Sequence, residues 1–292
     1  MTTPSDFASG KGHRDENFPV ASFLIHPRYR EIILDFYRFA RAADDVADHP
    51  TADSAEKLRL LEAMRASLAG EGDAVAVSLA LRASLARSRL TNQHALDLLE
   101  AFRRDVTKLR YENWDELMDY CRYSAMPVGR FVLDVHQEDR AIWPKSDALC
   151  AALQVINHLQ DCGKDYRSLN RVYVPLDSLS RAGMAPEELG RGAASAALLT
   201  VIHELAQRTA ALLAEARPFS DLIGDGRLAL EVSVIQALAE DLNLRLLERD
   251  PLSERVHHRK SEVLGLAARA TAGFVGRRVR SKTRPRSFAR QP

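Results

Sequence analysis

Residues 36–48 read FYRFARAADDVAD, and residues 154–175 read QVINHLQDCGKDYRSLNRVYVP. Each stretch sets two aspartates four residues apart at the end of an apolar run: Asp44 and Asp48 in the first, Asp161 and Asp165 in the second. On a helix such a pair shares one face, with Cβ atoms roughly 5–6 Å apart. Tyr37 and Arg41 extend the first stripe, and the residues around it (Ile33, Phe36, Phe39, Ala43, Val46) are apolar on nearly every side. A helix of that composition is buried, so its polar stripe must face a cavity or partners. The second stretch repeats the arrangement, with Gln154, Asn157 and His158 leading to Asp161 and Asp165 between Val155, Ile156 and Leu159.

Like charges four apart weaken an isolated helix, and burying them costs far more unless they are paired. One such pair is simply explained by internal salt bridges, from Arg41 to Asp44 or Asp48 and from Lys164 or Arg167 to the second pair. Two pairs, each closing a polar stripe on an apolar helix, point elsewhere. If they face each other, four carboxylates converge with few basic partners, and cations balance them best. An all-oxygen set with no His or Cys cluster suits hard Mg²⁺ rather than zinc. Mg²⁺ keeps waters and shares its shell with phosphate oxygens. The inferred ligand is therefore a phosphate or diphosphate held inside an apolar helical cavity. Cys162, between the second aspartates, is a poor Mg²⁺ ligand and reads as packing. His158 reads as a hydrogen-bonded wall residue.

Helical periodicity extends this picture along the chain. Helices are expected near 28–48, 54–69, 74–88, 92–107, 113–138, 145–165, 194–217, 226–248 and 251–276, with "RVYVPL" at 171–176 as a short extended link. β-branched alternation is nearly absent and no composition break marks a domain boundary. The expectation is one all-α domain over 17–276, a flexible N-terminus over 1–16 and a basic, disordered tail over 277–292. That tail carries seven Lys or Arg and no acid. It reads as a solvated tail, with contact at an anionic membrane surface as the alternative.

The whole-chain numbers exclude several classes. The 292 residues are 46% hydrophobic, enough for a large core, and 41 basic residues balance 40 acidic ones, which argues against a nucleic-acid partner. Three cysteines, Cys121, Cys150 and Cys162, show no CxxC pairing, so a reducing cytoplasm is the simple reading. The N-terminus lacks the apolar core of a signal peptide, and no run approaches the ~18 apolar residues of a membrane span. There is no P-loop, GxGxxG or HExxH.

The two acidic stretches resemble the paired aspartate-rich motifs of the squalene/phytoene synthase family. DELMDYCRYSAMPVG (115–129) is similar to the family's central Tyr-Cys helix, and FPVASFLI (18–25) to its Ser-Phe segment. The matches follow the family's order over about residues 17–265. The resemblance implies an isoprenoid-synthase helical fold around a central cavity. It implies that Asp44, Asp48, Asp161 and Asp165 hold Mg²⁺ bridging to a prenyl diphosphate, and that Arg41 and Arg171 hold the diphosphate, with Lys260 a further contact. Ser22, Phe23, Tyr37, Tyr120, Gln154, Asn157 and Tyr173 match positions lining the reaction chamber. The three tyrosines are the candidates for stabilising a carbocation or handling its proton.

Two departures stand out. Lys164 occupies a place where the family usually has an acid, which lowers the local negative charge and sets an ammonium near the diphosphate. Met126-Pro127 interrupts the central helix, where proline removes a hydrogen bond. ENFPVASFLIHPRYR (16–30) is most similar to the bacterial branch ahead of hopanoid synthesis. In that branch presqualene diphosphate ionises and one positioned water captures the cation. The alternatives are a synthase that condenses two prenyl diphosphates and a non-catalytic scaffold relative. Partner enzymes of squalene synthesis follow from the same resemblance, while a cytoplasmic place, at or near the inner membrane, follows from the unpaired cysteines and the basic tail.

Overall fold

The computed structural model describes residues 26–283 of the chain. Its first helix, α1 (Pro27–Asp48), starts where the His26 ring accepts from Arg28 N at 3.2 Å and Pro27 fixes the first turn. α2 (Ser54–Ala69) is capped by Asp53, which accepts from Glu56 N at 2.8 Å, and ends at Gly70 with φ +87°. α3 (Ala76–Ser88) and α4 (Gln93–Thr107) complete a layer in which α1 packs on both α3 and α4. Ile33, Phe39, Val46, Leu60, Leu81 and Leu98 form its core, and Phe36 stacks on Phe131 at 3.8 Å.

The expected helix over 113–138 is two helices. α5 (Trp114–Ser124) ends at Ala125, whose φ of −123° and ψ of −46° leave the helical path, and α6 (Met126–Val135) restarts with Pro127 in its first turn. Proline has no N–H to give and its ring crowds the preceding turn, so the chain breaks rather than bends. α7 (Trp143–Leu169) follows as the longest helix described, at 27 residues. It stops at Asn170 with φ +51°, and this left-handed residue throws 171–176 back along 109–111. There Val172 N donates to Leu109 O and Leu176 N to Tyr111 O, each at 2.9 Å. The extended link expected at 171–176 is thus tied down by backbone bonds, and no strand forms among the described residues.

The second half stacks behind α7. After the short α8 (Leu176–Arg181) come α9 (Ala196–Ala216), the one-turn α10 (Phe219–Leu222), α11 (Gly226–Leu246) and α12 (Lys260–Thr283). Lys145 meets Glu215 at one end of the α7–α9 pair. Gln236 bonds Leu213 O and Asn243 bonds Ala206 O, so α9 and α11 run antiparallel. Two boundaries differ from expectation. Residues 251–259 are turns and loop, because Asp250 draws Leu252 N at 2.8 Å and buried Val256 O accepts from Gln160. The helix starts at Lys260 and runs through the expected tail boundary to Thr283, with Arg277 paired to Asp221 at 3.1 Å. The basic run therefore continues a helix over 277–283; the rest of the expected tail, like residues 1–16, lies outside the described residues.

This half builds a second core around Leu117, Ile156, Leu159, Ile202, Leu205 and Leu242. α6 stands between the two cores. Its Phe131 and Val135 belong to the first and its Leu133 to the second.

Candidate active site

Between the two cores lies a cavity of about 550 Å³. Its walls are apolar where Phe36, Phe102, Val132, Leu149, Leu153 and Val232 face inward, and polar at one end. That polar end is built by the last turns of α1, α4 and α7 and by the extended link. Tyr37, Arg41, Asp44 and Asp48 all line it, as the stripe on α1 requires; from α7 come Gln154, His158 and Asp165, and from the link Arg171 and Tyr173.

The α1 carboxylates are fixed by two arginines. Arg41 meets Asp44 at 2.9 Å and Asp45 at 2.7 Å. Arg171, only 6% exposed, donates from Nη1 to Asp48 Oδ1 at 2.5 Å, from Nη2 to Ala47 O at 3.1 Å and from Nε to Asp105 O at 3.0 Å. Asp44 lines the cavity, where burial and then the charge of Asp48 push its carboxyl up to about 7, against the pull of Arg41. Burial, then Asp161, push Asp165 to about 7 as well, and Asp48 adds to that shift. The two motifs thus feel each other's charge across the cavity mouth.

The α7 pair is looser. Asp161 is about 40% exposed at the rim, with Lys164 at 3.5 Å. Asp161, Asn157 and Lys164 are not among the cavity-lining residues, and Lys260 is exposed at the start of α12, also away from the lining. Ser22 and Phe23 lie outside the described residues. Among the described residues no three acidic, His or Cys side chains close on one point. The donor set still fits a hard divalent cation, because buried carboxylates under mutual repulsion offer oxygen ligands from two facing helices. Each cation would take one or two of them and complete its shell with water and phosphate oxygens. Asp44, Asp48 and Asp165, which line the cavity, are the residues that could hold it.

Deeper in, three tyrosines and a histidine pack together. Tyr111 stacks on Tyr173 at 5.7 Å, Tyr120 sits 5.4 Å from Tyr173, and the His158 ring lies 3.6 Å over it. Burial, reinforced by Arg171, lowers the His158 pKa to about 3, so the ring is neutral. It meets the Gln154 amide at 3.1 Å, as expected of a wall residue. At the centre is Asp105, a residue the sequence reading did not single out. Tyr120 donates to its Oδ2 at 2.9 Å and Tyr173 to its Oδ1 at 2.8 Å. Burial pushes Asp105 up to about 6, while Arg171 and the two phenols pull the other way. One signal was available: His94, Leu98, Ala101 and Asp105 fall on one buried stripe of α4, which an acid has no reason to complete unless it has partners.

A family model described as squalene/phytoene synthase matches residues 12–262. The chain belongs to the squalene/phytoene synthase family. Among curated relatives, hydroxysqualene synthase of Zymomonas mobilis is 60% identical over 91% of this chain and 90% of the relative. The hydroxysqualene synthase of Rhodopseudomonas palustris is 56% identical over 95% of both chains. Among solved structures, squalene synthase HpnC from Alicyclobacillus acidocaldarius superimposes with a TM-score of 0.71 at 32% identity, covering 84% of this chain and 92% of that one. A dehydrosqualene synthase at 21% identity and a TM-score of 0.75 shares the fold. The all-helical family fold is therefore present here, with both aspartate-rich turns of the family at one cavity mouth. No helix among the described residues is long and apolar enough to cross a membrane.

Proposed function

We propose that this chain is a hydroxysqualene synthase, converting presqualene diphosphate and water to hydroxysqualene and diphosphate with Mg²⁺ on the route to squalene and hopanoids. The observation that carries the reading is the cavity's polarity. Two acidic turns and two arginines gather at one end of a chamber whose remaining walls are apolar and aromatic. Identity of 52–60% to three curated hydroxysqualene synthases over nearly the whole chain supports the choice of reaction.

Asp44, Asp48 and Asp165, with Asp161 at the rim, hold the cation side of a diphosphate. Mg²⁺ bound there supplies Lewis-acid neutralisation of the leaving group's charge. Arg171 and Arg41 are fixed by their aspartates and backbone carbonyls, so they present positive charge without reorganising as the C–O bond breaks. The apolar wall excludes bulk water from the carbocation, and the faces of Tyr120 and Tyr173 stabilise it. Neutral His158 brings no positive charge to the diphosphate and packs against Tyr173. Lys164 at the rim contributes an ammonium where diphosphate leaves.

Purified chain should release diphosphate from presqualene diphosphate with Mg²⁺ and no nicotinamide cofactor, and mass spectrometry should find a C30 alcohol. Farnesyl diphosphate consumed on its own to a C30 or cyclopropyl product would replace this reading with a condensing synthase. No turnover of either, in a folded chain, would favour a non-catalytic scaffold.

A further inference from the structure

Capture of a carbocation by water leaves one proton to be placed. The C–O bond forms, the oxygen becomes an oxonium, and an O–H bond must break before the alcohol is complete. The chamber wall offers one arrangement suited to that proton. Tyr120 and Tyr173 come from different elements and commit both hydroxyl hydrogens to the two oxygens of a single carboxylate, Asp105. Their phenolic oxygens are left as acceptors. Burial holds both phenols well above their ordinary pKa, so they are neutral hydroxyls rather than phenolates. Asp105, Tyr120 and Tyr173 all line the cavity.

We infer that Asp105 is the end point of a proton relay in which Tyr120 or Tyr173 takes the proton from the captured water and passes its own hydrogen to the carboxylate. This rests on the water-capture reading above. The balance is complete within the site: the water oxygen joins carbon, its proton moves to a phenol oxygen, the phenol's hydrogen moves to Asp105, and the acid ends neutral. No oxidant or reductant is needed. Asp105 is a positioning and relay residue that acts through the tyrosines.

The charges facing Asp105 favour this role. Burial disfavours its negative charge and so favours proton uptake, while Arg171 on the link opposes it; Asp48 on α1 adds repulsion as long as no cation neutralises it. His158 on α7 is neutral, and Arg104 on Asp105's own helix is turned to Glu100 and Asp119. Lys108 lies over the Tyr111 ring at 5.2 Å, one ring removed. The carboxylate is therefore ionised near neutral pH and close to taking a proton.

The test is product partition from presqualene diphosphate, with diphosphate release measured separately. In Asp105→Asn, the amide can accept from one phenol but cannot end as a neutral acid. The alcohol's share of C30 products should fall about tenfold or more, replaced by polyenes formed when a carbon loses the proton instead, while diphosphate is still released. In the unsubstituted chain the alcohol share should decline as pH falls through about 6, and in Asp105→Asn it should be flat. Tyr120→Phe with Tyr173→Phe, which keeps the ring packing, should reproduce the same partition; it also decides the matter if Asp105→Asn fails to fold. An alcohol share unchanged in the double-Phe chain, with diphosphate still released, overturns the relay. Failure of the unsubstituted chain to make any alcohol overturns the functional reading instead.

Discussion

At the end of α1, Arg41 bridges Asp44 and Asp45 while Arg171 closes on Asp48 from another part of the chain. Near the end of α7, Asp161 has a lysine from its own helix at 3.5 Å and sits half in solvent. The same spacing of acids therefore has two physical meanings. The first turn is held in position before any ligand arrives, since Arg171 also grips two backbone carbonyls and cannot follow Asp48 outward. The second leaves Asp161 partly in solvent, where a bound cation and diphosphate would take away its rotamer freedom. A rigid jaw and a yielding one would let a long substrate enter and still be gripped.

Asp48→Asn attacks the rigid jaw and should have the largest effect. It removes a carboxylate oxygen of the proposed cation site and the charge partner of a buried guanidinium together. Turnover should fall about 10³-fold. Loss of the charge-assisted bond, about 1–2 kcal/mol with Asp48 partly open, should lower the melting temperature by a few degrees. A melting temperature equal to that of the unsubstituted chain would remove the claim that this turn is locked. Asp161→Asn tests the other jaw. Turnover at low Mg²⁺ should drop about tenfold, be largely restored by excess Mg²⁺, and leave the melting temperature unmoved.

Proton linkage gives a smaller effect shared by both jaws. Asp44 and Asp165 are raised to about 7, so the folded metal-free chain binds protons that the unfolded chain has released. The stability they contribute is complete below the ordinary carboxylate range and is lost as pH rises through about 7. Metal-free chain should melt higher at pH 5.5 than at pH 8, and Mg²⁺ should stabilise it more at pH 8. Equal metal stabilisation at both pH values would argue that neither acid is at the cation site. The smallest change is expected for Lys164→Ala. Its ammonium is exposed, so inhibition by diphosphate should weaken by no more than about fivefold. A much larger loss would mean that the outer jaw is as firmly organised as the inner one.

The stripe on α1 could be read directly, because Tyr37, Arg41, Asp44 and Asp48 owe their common direction to helical period alone. So could the break beside Pro127, which needs only the missing N–H of proline. Asp105 was hidden because its meaning depends on Tyr120 and Tyr173, 15 and 68 positions away, arriving at its two oxygens. Arg171 was named from resemblance, yet its grip on Asp48 spans 123 positions and is a property of the packed chain. The turn at 251–259 was missed for a local reason. Its residues carry a helical pattern, but Asp250 offers the backbone a competing set of bonds.

α6 gives its side chains alternately to two cores that both border the chamber and that also meet where α4 packs on α5. A ten-residue rod set off by the break at Ala125 thus acts as the spacer between two larger bodies. Swapping Val128, Phe131 or Val132 for bulkier or slimmer neighbours resets how far apart those bodies stand. The width of the hollow is in this way adjustable by a segment that supplies none of the acids or arginines at its polar end, so selection for longer or shorter hydrocarbon guests could proceed without disturbing that end.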